Sequence, residues 1–174
     1  MPRAILLDRD GVINEAVIKD GKPYPPASIA ELIIAADIQP SLTALKAAGF
    51  VLIVVTNQPD VARGKTTVDA VGAIHAHLMA QLPLDDILVC YHDDKDQCLC
   101  RKPQPGLLLR AAKQYNLDLS HCVMVGDRWR DIEAGQRAGC KTVWLNNGYT
   151  EKAPRLPADF TTTSLQNAAE GILD

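Results

Sequence analysis

Apolar residues fall along the chain in short blocks, and their period alternates between that of a strand and that of a helix. Arg3-Ala-Ile-Leu-Leu7 is a compact apolar run that reads as a buried strand. Val51-Leu-Ile-Val-Val-Thr56 is unbroken and β-branched, the composition of a parallel strand covered on both faces. Ile87–Cys90, Cys122–Gly126 and Lys141–Leu145 are further runs of strand length. Between these runs the spacing becomes helical. Pro40, at a first helical position, opens Ser41–Ala48, and Gly49 closes it. Thr67–Leu82 carries an apolar stripe of Val68, Val71, Ile74, Leu78 and Leu82. Leu107–Tyr115 follows, then Asp131–Ala138 with Gly139 as its stop, and Ser164 caps a last helix through Leu173. Strands alternating with helices predict an α/β fold with a doubly wound, mostly parallel sheet. The first half of Glu15–Pro40, with Gly21, Pro23, Pro25 and Pro26, reads as a loop or flap; Ile29–Ala36 stays open between strand and helix; Asn57–Gly64 reads as a loop.

Composition narrows the class. The 174 residues suit one domain spanning 1–174, with neither an internal repeat nor a low-complexity segment. A net charge of −3 without a basic stripe argues against a nucleic-acid partner. No apolar run approaches the ~18 residues of a membrane span, and no signal-peptide layout opens the chain. A cytoplasmic protein without a membrane partner is the expectation. Of five cysteines, Cys90, Cys98 and Cys100 crowd together, which in a reducing compartment points to metal rather than disulfides.

The polar residues that interrupt these elements carry the candidate chemistry. Asp8 and Asp10 stand two apart where the first strand ends, so both project to the same side at a sheet's carboxyl edge, where open α/β folds bind ligands. Gly11 lets the chain turn sharply beside them. Two such carboxylates call for a cation or a proton, and Mg²⁺ with an aspartyl nucleophile is a route for phosphoryl transfer. Thr56/Asn57, Arg101-Lys102 and Asp127/Asp131 are further polar pairs at element ends. Each has a plain reading: a turn former, a solvated lysine, a helix N-cap at Asp127. Their recurrence along one predicted edge outweighs these readings. Cys90-Tyr-His92…Cys98-Leu-Cys100 matches a closed Cys₃His zinc site, with a metal-free thiol cluster as the alternative. Asp93, Asp94 and Asp96 within it read as solvated. His75, His77 and His121 read as surface or packing residues, Cys122 and Cys140 as small core residues. Trp129 is a candidate border of a substrate mouth, and Arg63 is open between a ligand contact and a surface residue.

Asp8-Arg9-Asp10-Gly11, Thr56-Asn57, Arg101-Lys102-Pro103 and Gly126-Asp127-Arg128…Asp131 resemble the four ordered motifs of the haloacid dehalogenase (HAD) superfamily. Thr56-Asn57-Gln58…Ala62-Arg63-Gly64 and Cys98-Leu-Cys-Arg-Lys-Pro103 resemble, within its histidinol-phosphatase-like branch, the D-glycero-D-manno-heptose 1,7-bisphosphate phosphatases. The resemblance implies a Rossmann-like HAD core without a large cap domain. It implies Asp8 as nucleophile and Asp10 as acid and base. Mg²⁺ would be held by Asp8, Asp127 and the Asp10 carbonyl; Thr56, Asn57, Arg101 and Lys102 would serve the substrate or its phosphate. Asp131 would order Arg128 or Arg130, or support the metal. Cys90, His92, Cys98 and Cys100 would hold a structural Zn²⁺ in a loop at about 90–100 that delivers Arg101 and Lys102. The implied partner is a small phosphorylated metabolite handled by a monomer, first a heptose bisphosphate, then histidinol phosphate. A 3′-phosphatase of nucleic acid, a phosphorylation-switch receiver and a non-catalytic sugar-phosphate binder rank lower. Gln58-Pro59-Asp60 departs from the Gln-Ser-Gly common in that family. Without a cap, flap Glu15–Pro26, loop Gln58–Lys65 and the cysteine loop would shape the pocket.

Overall fold

Six strands lie side by side in the order β5-β4-β1-β6-β7-β8, and every neighbouring pair is parallel. They are β1 (Arg3–Leu7), β4 (Phe50–Asn57), β5 (Asp86–Cys90), β6 (Val123–Gly126), β7 (Lys141–Leu145) and β8 (Phe160–Thr162). A separate antiparallel hairpin joins β2 (Val17–Lys19) to β3 (Lys22–Tyr24). The helices are α1 (Ile38–Ala47), α2 (Val68–Gln81), α3 (Gly106–Tyr115), α4 (Trp129–Ala138) and α5 (Leu165–Leu173). This computed structural model describes residues 1–174.

The pleat divides the core. Ile5 and Leu7 of β1 face one side with Leu52 and Val54 of β4, packed under Leu42 of α1, Ile74 and Leu78 of α2 and Ala168 of α5. Ala4 and Leu6 face the other side with Ile53 and Val55, packed under Leu107, Leu108 and Ala111 of α3 and Ala134 of α4. Side chains such as Leu6, Leu42 and Leu107 are almost wholly out of water, each burial worth about 1.5–3 kcal/mol. β1 therefore sits at the centre of the sheet, and whatever follows Leu7 emerges at the middle of its carboxyl edge.

The doubly wound parallel sheet stands as expected, with five local corrections. α1 begins at Ile38, so Pro40 is its third residue; it is tolerated because first-turn N–H groups have no partner inside the helix. Val68 begins α2 but is 50% exposed, because Thr67, whose hydroxyl accepts from the Ala70 amide, caps the helix outside the core. Ile29–Ala36 is neither strand nor α-helix, only a 3₁₀ turn at Ile29–Glu31 followed by irregular chain. The flap is an ordered hairpin, and β8 is a strand the apolar pattern did not show.

Candidate active site

Parallel pairing sets the carboxyl ends of β4, β1 and β6 next to one another, so the residues that follow them meet. Asp8, Asp127 and Asp131 each present a carboxylate oxygen within 4.8 Å of the others, and all are buried. Lys102 enters from the loop before α3. Its ammonium, 1% exposed, lies 2.7 Å from Asp8 Oδ1 and 2.6 Å from Asp131 Oδ1. Two of the three carboxylates thus share one ammonium, and Asp127 stands beside them. Burial, then the Asp131 charge, push Asp8 up to about 6 in spite of Lys102. Asp127 is raised more strongly by burial and by Asp8 and Asp131. Burial works against the Lys102 ammonium, but Asp131 and Asp8 outweigh it and hold the charge in place.

Two glycines make this packing possible. Gly11 has φ +88°, and a Cβ there would stand 1.9 Å from Asp127 Oδ2 and 2.7 Å from the Tyr149 hydroxyl. A Cβ on Gly126 would stand 2.1 Å from Asp131 Cβ. Asp127 is not the N-cap of α4; Arg128 is, and Asp131 Oδ2 accepts its backbone N–H at 3.0 Å. Asp131 thus orders Arg128 through the main chain while its other oxygen holds Lys102. Tyr149 donates its hydroxyl to Asp127 Oδ2 at 2.6 Å, and Asp127 Oδ1 is buried with no partner.

Asp10 points elsewhere. Its carboxylate receives Arg9, Asn14 (3.0 Å to Oδ1) and Gln58 (2.9 Å to Oδ2). The Thr56 hydroxyl accepts from the same Gln58 amide at 3.0 Å. Asn57 clasps the Lys102 peptide, accepting from its N–H and donating to its carbonyl, both at 3.1 Å. That side chain thereby fixes the lysine loop, and Asn57 also lines the active-site cavity. Arg9, Asn14, Gln58 and Tyr149 were not singled out as site residues. The available signal was Arg9 lying between two aspartates; nothing local marks Tyr149.

The cysteine loop folds into a tight cluster. Cys90, Cys98 and Cys100 sulfurs lie 2.9 to 3.6 Å apart, and His92 Nδ1 is 3.6 Å from Cys90 Sγ and 3.4 Å from Cys100 Sγ. Zn–S bonds of about 2.3 Å in a tetrahedron would space sulfurs by about 3.7 Å, so the donor set fits one ion. Burial raises Cys90, whereas at Cys98 the Arg101 amide and neighbouring thiols outweigh burial and bring it down to about 7. Asp93 and Asp94 are not simply solvated: Asp93 takes Arg63 at 2.7 Å, and Asp94 takes Arg101 at 2.9 Å and Arg130 at 3.1 Å. Asp96 accepts the Asp93 amide.

A cavity of about 260 Å³ opens onto Asp8, Asp10, Lys102 and Asp131. Lys22–Pro25 of the flap, Pro59, Asp60 and Arg63 of the second loop, and Asp94 and Arg101 of the cysteine loop wall it. Asn57, Arg128 and Arg130 complete the wall; Trp129 does not border it, and its ring instead meets Arg130 and Lys152.

A HAD-hydrolase-like family model matches residues 99–168. A D-glycero-beta-D-manno-heptose-1,7-bisphosphate 7-phosphatase of Mesorhizobium japonicum is 34% identical over 179 residues, 96% of this chain and 78% of that one. The enzyme of that name from Pseudomonas aeruginosa is 35% identical over 85% of this chain and 84% of its own. The chain belongs to the HAD phosphatases. The solved D,D-heptose 1.7-bisphosphate phosphatase of B. bronchiseptica, complexed with magnesium and phosphate, superposes with a TM-score of 0.79 at 30% identity over 99% of this chain and 98% of that one. As a HAD phosphatase the chain is a phosphoric monoester hydrolase, and its carboxylate cluster suits a divalent cation. Asp127 Oδ1 is a buried oxygen without a donor, and Asp8 and Asp127 both hold protons more tightly than usual because burial strips them of water and neighbouring carboxylates repel their charge.

Proposed function

We propose that this HAD phosphatase removes one phosphate from a heptose bisphosphate through an aspartyl-phosphate on Asp8. The observation that carries the reaction is the Lys102 ammonium between Asp8 and Asp131, beside Asp127. Asp8 attacks phosphorus, and the bond to the leaving sugar oxygen breaks as Asp10 gives that oxygen a proton. Asp10 then takes a proton from water, the water oxygen bonds to phosphorus, and Asp8 leaves, releasing inorganic phosphate. Lys102, with the Thr56 hydroxyl, binds phosphoryl oxygens, where positioning and charge neutralisation do most of the work. Asp8, Asp127 and the carbonyl of Asp10 would hold Mg²⁺, which when bound supplies further positive charge against those oxygens. Cys90, His92, Cys98 and Cys100 would hold Zn²⁺ in a purely structural role.

A second phosphate suits the cavity wall. Lys22, Arg63, Arg101, Arg128 and Arg130 line it, and Arg101 Nη1 is a buried donor with no partner. The test is phosphate release with Mg²⁺ and with EDTA from heptose 1,7-bisphosphate, a heptose monophosphate, histidinol phosphate and a 3′-phosphorylated oligonucleotide. A Mg²⁺-dependent preference for the bisphosphate is expected. Preference for the monophosphate or for histidinol phosphate overturns the substrate; silence on all four overturns the reaction.

A further inference from the structure

His75 lies in α2, 66 residues from Arg9, and is 8% exposed. Its Nε2 stands 2.9 Å from Arg9 Nη1. A guanidinium has only donors, so Nε2 accepts and the ring proton sits on Nδ1. Burial, then the Arg9 charge, hold the ring neutral. Arg9 is itself 1% exposed and turns its other edge to Asp10: Nε at 3.0 Å and Nη2 at 2.8 Å from Oδ1, with Nη2 also 3.1 Å from Oδ2. Asn14 reaches one oxygen of that carboxylate and Gln58 the other; Arg9 alone spans both.

We propose that His75 is a positioning residue for the hydrolysis, holding the Arg9 guanidinium and through it the plane of the Asp10 carboxylate. The inference rests on reading Asp10 as the acid and base. Arg9 and Asp10 are chain neighbours, and flexible neighbours can pair in several geometries. The imidazole removes that freedom, because any rotation of the guanidinium off Nε2 leaves Nη1 a buried donor without an acceptor. α2 contributes no residue to the cavity wall, so an effect of position 75 on chemistry must travel through Arg9.

The test compares wild type, His75→Leu, His75→Asn, His75→Gln and Asp10→Asn. Substrates are p-nitrophenyl phosphate, whose leaving group needs no proton, and phenyl phosphate, whose leaving group benefits from one. Here kcat/KM reports the steps through aspartyl-phosphate formation. Glutamine places an oxygen near the Nε2 position; asparagine reaches only the Nδ1 position and leucine has no acceptor. His75→Leu and His75→Asn are expected to lower kcat on phenyl phosphate by about tenfold or more with KM little changed, the scale of a misplaced catalytic group. Their loss in kcat/KM should be about fivefold greater on phenyl than on p-nitrophenyl phosphate, the mark of a displaced acid. His75→Gln should recover most of the rate. Thermal melting separates this from unfolding, and His75→Asn keeps the test if the leucine variant does not fold. If Asp10→Asn discriminates between the esters and the His75 variants lose equally on both, the inference is overturned alone. Equal losses in Asp10→Asn overturn the acid assignment and the inference with it.

Discussion

The nucleophile role proposed for Asp8 requires an ionised carboxylate, and its surroundings work against that. Burial and Asp131 raise it to about 6 even with the Lys102 ammonium beside it, so Asp8 is mostly ionised at neutral pH and loses that charge as pH falls through about 6. Asp8→Asn keeps the shape but not the nucleophile. Phosphate release from any ester should fall by about three orders of magnitude or more, measured at saturating Mg²⁺. Tyr149 matters for a different reason. Its hydroxyl occupies Asp127 Oδ2 and leaves Oδ1 as the free oxygen. Tyr149→Phe lets the carboxylate rotate, and Mg²⁺ binding measured by calorimetry should weaken about tenfold, as when an outer partner of a metal ligand is lost. Unchanged affinity would show that the Gly11 turn alone aims Asp127.

At the scale of elements, the cysteine loop connects two jobs. The Arg101 amide donates to Cys98 Sγ at 3.3 Å, and Lys102 is the next residue. Stripping zinc with a chelator that spares Mg²⁺ should therefore lower the melting temperature and remove activity together, and Cys100→Ser should do the same. A protein that melts unchanged after metal analysis shows zinc gone would sink the structural-zinc reading. The Cys/His cluster was legible in the sequence because its four members fall within the short stretch Cys90–Cys100. The flap hairpin was not: β2 and β3 have three residues each, are largely exposed and include Pro23, so neither an apolar run nor an alternation marks them. β8 escaped for the same reason, since Phe160-Thr-Thr162 is an exposed edge whose pairing with β7 depends on the rest of the sheet. The acids of the cysteine loop looked solvated because their partners Arg63 and Arg130 lie at distant positions in the chain.

At the scale of the whole molecule, His75 also links stability to pH. Its folded pKa is about 4 against 6.5 in a free histidine, so between those values the unfolded chain binds more protons. Stability is thus free of this penalty above pH 6.5 and loses ground as pH falls toward 4. Melting temperatures of the metal-loaded protein should drop over that window, and His75→Gln should lessen the drop; parallel curves for the two proteins would contradict it. The sequence alone determined the five buried strands and the five α-helices, because the apolar period records how each of these segments meets a core. It also marked candidate groups that lie close in the chain, because Asp8 and Asp10, or Cys98 and Cys100, stand two residues apart. Only the tertiary structure decided what each polar group touches. Lys102 meets Asp8 across 94 residues, and Arg9 meets His75 across 66. Such contacts exist only once the sheet order puts β1 at its centre and packing brings buried donors such as Lys102 and Arg9 against their acceptors, a choice that no local spacing encodes.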